Sequence, residues 1–331
     1  MRTLSIVAVF VLLLSAPACE LDLDQSKLPA PRVAAGVMLG LLPVGGLDRP
    51  ALDPILAKLA QDLARAPIDA VRERVGEGVV PDLNGIALDV AATQEALLKA
   101  RPGTKLEPAL LQVRAAVTRS SFGPRPIYRG NPARKAVTLL INVAWGNEYL
   151  PGLLELLREE NVKATFFLDG YWVARFPDLA RAIRDHGHEL GNHAYNHPIM
   201  TKQQPDARRE SIRRTSEQIH KATGVTETWF TPPAGDVNLD VVAAAHELGL
   251  GTVLWTQSPR SLDTVDWSLP GVDKMVAKIT ANAVPGGMIL CHPTQQTAPA
   301  LARIIPRLRG QGYRFLTVAK LLSPERTLDD D

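Results

Sequence analysis

GHELGNHAYNHP, residues 187–198, decides how the rest of the chain is read, because it sets His193 and His197 four residues apart behind a Gly191-Asn192 turn. On a helical turn, side chains at i and i+4 share one face, so two imidazoles at this spacing converge on one point. Neutral imidazole is a favoured ligand for zinc-like ions. Taken alone, the pair also reads as two surface or capping histidines with nothing between them. Its meaning comes from the segments on either side.

Working outward, the chain alternates strand and helix signals from residue 137. VTLLINV (137–143) is an apolar run, helical periodicity follows from Leu150 to Glu160, and KATFFL (163–168) reads as a strand. A helix is expected from Trp172 to about Arg184, where Val173, Leu179, Ala180 and Ile183 recur at helical spacing. TETWF (226–230), GTVLW (251–255) and GMILC (287–291) are further strands, with helices near 206–222, 238–248, 272–282 and 298–309. Such a βα repeat predicts an α/β fold, either a barrel or a doubly wound sheet, whose catalytic loops gather at one end of the strands.

Six segments then stand in one unbroken order: VTLLINVAWGNEYLP, VKATFF, GHELGNHAYNHP, FTPPAG, LDTVDW and ILCHP. Together they resemble the polysaccharide deacetylase family, the NodB-homology domains of carbohydrate esterases, over roughly residues 123–323. INVAWGNEYLP and PIYRGNP look most like the sporulation-associated polysaccharide deacetylases of spore-forming bacteria. The resemblance implies a distorted (β/α) barrel with its site at the carboxyl ends of the strands. It also implies a reaction, removal of the acetyl group from an N-acetylated polysaccharide such as peptidoglycan. In that chemistry a divalent metal, zinc or cobalt, is held by one Asp and two His and polarises the acetamide carbonyl and a bound water. A second Asp takes the water's proton, and a His protonates the departing amine. By resemblance His193 and His197 take the metal, His292 is the acid and Asp266 orients it. Trp267 and Leu290 form the wall for the acetyl methyl, and Pro233 and Ala234 join them in binding substrate. His186 and His188 fall in a part of the pattern that is structural.

The departures from the family pattern weigh as much. The first motif, Thr-Phe-Asp-Asp-Gly in the family, aligns with Leu140-Ile141-Asn142-Val143-Ala144. Asn142 stands at the general base, and a carboxamide cannot take a proton from water near neutral pH. Val143 stands at the metal aspartate, and an isopropyl group ligates nothing. Thr231 stands where the family has the arginine that holds the catalytic aspartate. Losing guanidinium and carboxylate together avoids an unpaired buried charge. A divalent metal is accordingly expected to be held weakly or not at all. Two nearby carboxylates offer a rescue: Glu148 and Asp169 either supply the missing ligand or base, or else fix a loop and cap a helix near Tyr171. Trp145 and Tyr195 read as sugar-stacking platforms or as core lids.

The first third of the chain is a different object. Residues 1–19 carry Arg2, an apolar run from Leu4 to Leu14 and Ala16-Pro17-Ala18 before Cys19. They fit a secretory signal, or a lipoprotein signal that would anchor the chain to a membrane through Cys19. Either places the protein outside the cell, at a bacterial surface or wall. Residues 20–119 read as a small α+β domain, with ALDPILAKLAQDLARAPI helical, GEGVVPDLNGIALDV hairpin-like and a helix at 91–100. The hairpin-like segment is similar to wall-associated modules thought to bind peptidoglycan, and a plain packing or spacer domain accounts for it equally. Residues 120–132 read as a linker, 133–323 as the barrel and 324–331 as a tail.

Composition is that of a folded, soluble chain, with 46% hydrophobic and 22% charged residues over 331 positions. A net charge of +2, with the basic residues dispersed, argues against a nucleic-acid partner. Cys19 and Cys291 are the only cysteines, which excludes a disulfide framework. Three readings of function stand: a deacetylase with a rearranged metal shell, a relative that binds glycan without hydrolysing it, and a structural surface protein on a borrowed fold.

Overall fold

The computed structural model describes residues 30–73 and 76–330, so the signal segment and Cys19 lie outside the described residues. Two compact units divide the chain, one formed by residues up to Leu56 together with Ala91–Pro108, the other by Ala57–Val90 and Ala109 onward. In the first, β1 (Met38–Leu39) pairs antiparallel with β2 (Leu42–Pro43). The helix α1 (Arg49–Leu63) follows. Val33, Val37, Leu39, Val44, Leu52, Leu56 and Leu97 are buried apolar residues of this unit.

In the second unit β3 (Val71–Arg72) pairs antiparallel with β4 (Val79–Val80). The strand β5 (Gly85–Leu88) also lies in it; α2 (Val90–Lys99), from Ala91 on, and β6 (Lys105–Leu106) belong to the first unit, and β7 (Leu110–Val113) is again in the second. β6 lies parallel to β1 in the first unit's sheet, and β5 pairs antiparallel with β7. GEGVVPDLNGIALDV therefore does not fold back on itself as a hairpin. Its two strands find separate partners, with Pro81 between them supplying no donor for a shared ladder.

The rest of this unit is the curled parallel sheet of a distorted (β/α) barrel. In chain order it runs β8 (Ala136–Val143), α3 (Leu150–Glu159), β9 (Thr165–Leu168), α4 (Gly170–Arg175), α5 (Pro177–Asp185) and β10 (Glu189–Asn192). α6 (Pro205–Thr223), β11 (Trp229–Phe230), α7 (Leu239–Glu247), β12 (Gly251–Thr252) and α8 (Val272–Asn282) come next. The chain finishes with β13 (Gly287–Cys291), α9 (Thr297–Gly310), β14 (Arg314–Phe315) and α10 (Val318–Leu321). The strands lie in the order β12-β11-β10-β9-β8-β13, all parallel, with β14 on the first residues of β8. Where a regular barrel would close, Thr256 bridges instead: its N–H donates to Met288 O at 3.0 Å and its hydroxyl to Tyr128 O at 2.7 Å.

Alternation along β8 sets what faces where. Val137, Leu139, Ile141 and Val143 join the apolar layer between sheet and helices, while Ala136 and Leu140 join the cluster inside the curl. Asn142 shares the inner face, as expected for a period of two. The helix expected over 172–184 is broken, because Pro177 lacks an N–H and forces Phe176 to φ −130° and ψ 54°. β11 is shorter than TETWF, beginning only at Trp229, where its pairing with Gly251 of β12 starts. The buried Arg134 collects the C-terminal segment: Nε donates to Asp330 Oδ1 at 3.0 Å and Nη1 to the carbonyls of Lys320, Leu321 and Ser323. No helix among the described residues is long and apolar enough to cross a membrane.

Candidate functional site

At the carboxyl ends of the strands lies a cavity of about 360 Å³. Asn142 reaches it from β8, His193 and His197 from the loop after β10, Ala234 from the turn after β11, and Leu290 and His292 from the end of β13. Two tight backbone approaches lie in its wall or next to it. Gly235, at φ +67°, sits where a Cβ would collide with the Trp255 ring, and Gly146, at φ +83°, where one would strike the Pro293 carbonyl.

The histidine pair converges, but not on a helix. Gly191 and Asn192 are the end of β10 rather than a turn, and the chain then runs through Ala194, Asn196 and His197 at φ 57°, 64° and 47°. This left-handed loop brings the rings to 5.2 Å between centroids at 72°. It is held from beneath, since the His197 N–H donates to Asp169 Oδ2 and the Trp172 N–H to Asp169 Oδ1, each at 2.9 Å. His193 is 1% exposed and its Nδ1 donates to Thr231 O at 2.8 Å, which leaves Nε2 as the nitrogen available to the cavity. Burial, reinforced by the neighbouring His197, pushes the His193 pKa down to about 3. Burial also lowers that of His197, against the pull of Asp169.

Opposite stands a second pair. His292 Nδ1 donates to Asp266 Oδ1 at 2.8 Å, and Asp266 Oδ2 lies 2.8 Å from the Thr297 hydroxyl. The carboxylate is fully buried, and the Trp145 ring stacks on His292 at 5.9 Å and 7°. Asp266 opens a short turn whose flanks, Val265 and Leu269, both lie in the left-handed region at φ 58° and 53°. For a β-branched valine that conformation is strained. Trp267 is thereby presented at the cavity mouth, 57% exposed.

Asn142, 7% exposed, lines the cavity, and its Oδ1 has no protein partner. Val143 is fully buried in the sheet–helix layer and does not line it. Thr231 and Pro233 lie behind the lining, with Thr231 Oγ1 donating to Val253 O at 2.7 Å. Of the two rescue carboxylates, Glu148 is exposed and away from the cavity. Asp169 is the N-cap of α4, and burial raises its pKa against the opposing hydrogen bonds from Trp172 and His197. His188 is buried and its Nδ1 accepts from Ala164 N–H at 3.2 Å. Tyr195 lies against Arg214, outside the lining. Asp263 and Trp255 line the cavity without having been singled out from the sequence; Asp263 had a signal, sharing the DTVDW segment with Asp266, whereas Trp255 had only its place at a strand end.

Fit to a resident metal follows from this donor set. Two imidazoles point to one place, the third position is apolar, and both Asp169 oxygens already accept backbone hydrogens. Among the described residues no group of three or more His, Cys, Asp and Glu is arranged to hold a metal ion. Catalytic zinc usually keeps three protein ligands. These residues do not fit that arrangement.

A model of the polysaccharide deacetylase family matches residues 129–253. The chain is 36% identical over 278 residues to the uncharacterized protein YlxY of Bacillus subtilis, covering 83% of this chain and 86% of that one. It is 38% identical over 180 residues to a peptidoglycan-N-acetylglucosamine deacetylase of Bacillus cereus, covering 53% and 82%. Among solved structures it is similar to a carbohydrate esterase family 4 pseudoenzyme from Bacillus anthracis, with 36% identity, 83% and 96% coverage and a TM-score of 0.72. The chain belongs to the polysaccharide deacetylase family, carbohydrate esterase family 4.

Proposed function

We propose that this protein binds cell-wall glycan in the cavity without hydrolysing it, as an exported wall protein that serves in sporulation. One observation carries the reading: the inner-face position where the family has its base is Asn142, and the next is the core residue Val143. Without a carboxylate at either position, the family's base and its third metal ligand are both missing beside His193 and His197. The binding features persist, with the His292–Asp266 pair, the exposed indoles of Trp145 and Trp267 and the open cavity. The similarity to a family pseudoenzyme supports the same reading, and the leader-like residues 1–19 support export. The test measures acetate release from N-acetylglucosamine oligomers and peptidoglycan with zinc or cobalt supplied, comparing the protein with His193→Ala, alongside glycan binding by calorimetry. Binding with no acetate above the variant is the expected result; release that depends on His193 would make the protein an enzyme with a rearranged metal shell.

A further inference from the structure

Resting on the glycan-binding reading, we propose that the cavity selects sugar units bearing a free, protonated amine over units bearing the acetamide, so that it reads glycan from which acetyl groups have already been removed. The polar groups turned toward the cavity are chiefly acceptors. The Thr231 carbonyl can only accept, so the His193 hydrogen sits on Nδ1 and the neutral ring offers a lone pair at Nε2. His292 is oriented the same way, its Nδ1–H committed to Asp266 Oδ1. Asp263 adds a half-buried carboxylate; its Oδ1 accepts the Val265 N–H at 2.7 Å, and Oδ2 remains for a ligand.

No countercharge offsets these groups. Among the described residues that line the cavity there is no Lys or Arg, while Asp263 lies in the wall and Asp266 directly behind His292. Three indoles, of Trp145, Trp255 and Trp267, complete the lining, and indole faces attract cations. An ammonium group meets acceptors, the Asp263 carboxylate and indole rings together. An acetamide carbonyl needs donors instead, and the lining side chains supply the Asn142 carboxamide, the His197 ring and indole N–H groups, with no Lys or Arg among them. Charge-assisted hydrogen bonds are about twice as strong as neutral ones, which favours the amine.

Calorimetry on the full chain with the β-1,4 glucosamine tetramer and the N-acetylglucosamine tetramer, in a buffer that keeps the amine protonated, tests the selection. The glucosamine tetramer is expected to bind roughly tenfold tighter. Asp263→Asn should abolish most of that difference, chiefly by weakening the glucosamine tetramer. Equal or tighter binding of the acetylated tetramer overturns the selection and leaves glycan binding standing, whereas binding of neither overturns both. A preference that Asp263→Asn does not alter places the selection elsewhere and also overturns it. Should that variant not fold, the two tetramers on the unaltered chain still decide the preference, and Trp267→Ala, which should weaken both, decides whether this cavity is responsible.

Discussion

One carboxylate holds His292 twice: Asp266 takes the ring Nδ1–H on Oδ1 at 2.8 Å and the main-chain N–H of the same residue on Oδ2 at 2.6 Å. The histidine is therefore fixed in tautomer and in backbone position by a single buried group. Asp266→Ala leaves both His292 donors without their acceptor, while the Thr297 hydroxyl keeps its bond to the His292 carbonyl. It should lower unfolding free energy by about 2–4 kcal/mol, as read from urea denaturation. Asp266→Asn, which keeps one acceptor, should lose less.

Trp267 tests the surface side of the same turn. At 57% exposure it packs little, so Trp267→Ala should leave the thermal midpoint almost unchanged. Glycan affinity should fall by roughly three- to tenfold in calorimetry, the contribution of one aromatic platform. A large loss of stability with unchanged affinity would assign the indole to the fold.

Asn142→Asp places a carboxylate in the cavity beside the two imidazoles. Zinc affinity should rise by at least about tenfold, since a third protein ligand completes the set a catalytic zinc site uses. Equilibrium dialysis on the purified variant checks this, and unchanged affinity would show that position 142 cannot reach the ion.

Acid should destabilise the protein through its buried neutral histidines. The pKa of His188 is pushed down to about 4 by burial, then by Lys163 and His186, and that of His193 to about 3. An unfolded histidine titrates near 6.5, so between that pH and the depressed values the unfolded chain binds more protons than the folded one. Their neutral burial is fully compatible with folding above about pH 6.5, and stability is lost as pH falls below it. His188→Asn should reduce the slope of unfolding free energy against pH by about one proton over roughly pH 6.5 to 4. An unchanged slope would show that His188 titrates normally in the folded protein.

Much of the barrel is legible in the residues. The apolar runs at 137–143 and 287–291 became β8 and β13, because strands covered on both faces need continuous apolar sequence. Their alternation, which no apolar run reveals, appears only once the two faces pack against different partners. The His193–His197 pair was visible as a spacing but not as a geometry: three left-handed residues do the work assigned to a helix, and none of them is glycine. Thr297 carried no signal at all, since its hydroxyl reaches Asp266 from the first turn of a helix 31 residues further along the chain. Such contacts depend on how elements meet, which local pattern does not encode.

The alternation of β8 has a further consequence, for reversibility. Asn142 opens on a water-accessible cavity, so a mutation that returns a carboxylate there meets little resistance. Val143 lies in a dry layer with Leu150, Leu168 and Trp172, where a carboxylate would be stripped of its hydration. Of the departures read at positions 142, 143 and 231, the first two thus face unequal paths back, one a single step and the other requiring neighbours in the core to yield first. A directed-evolution library confined to cavity residues would sample only the easy half of the return.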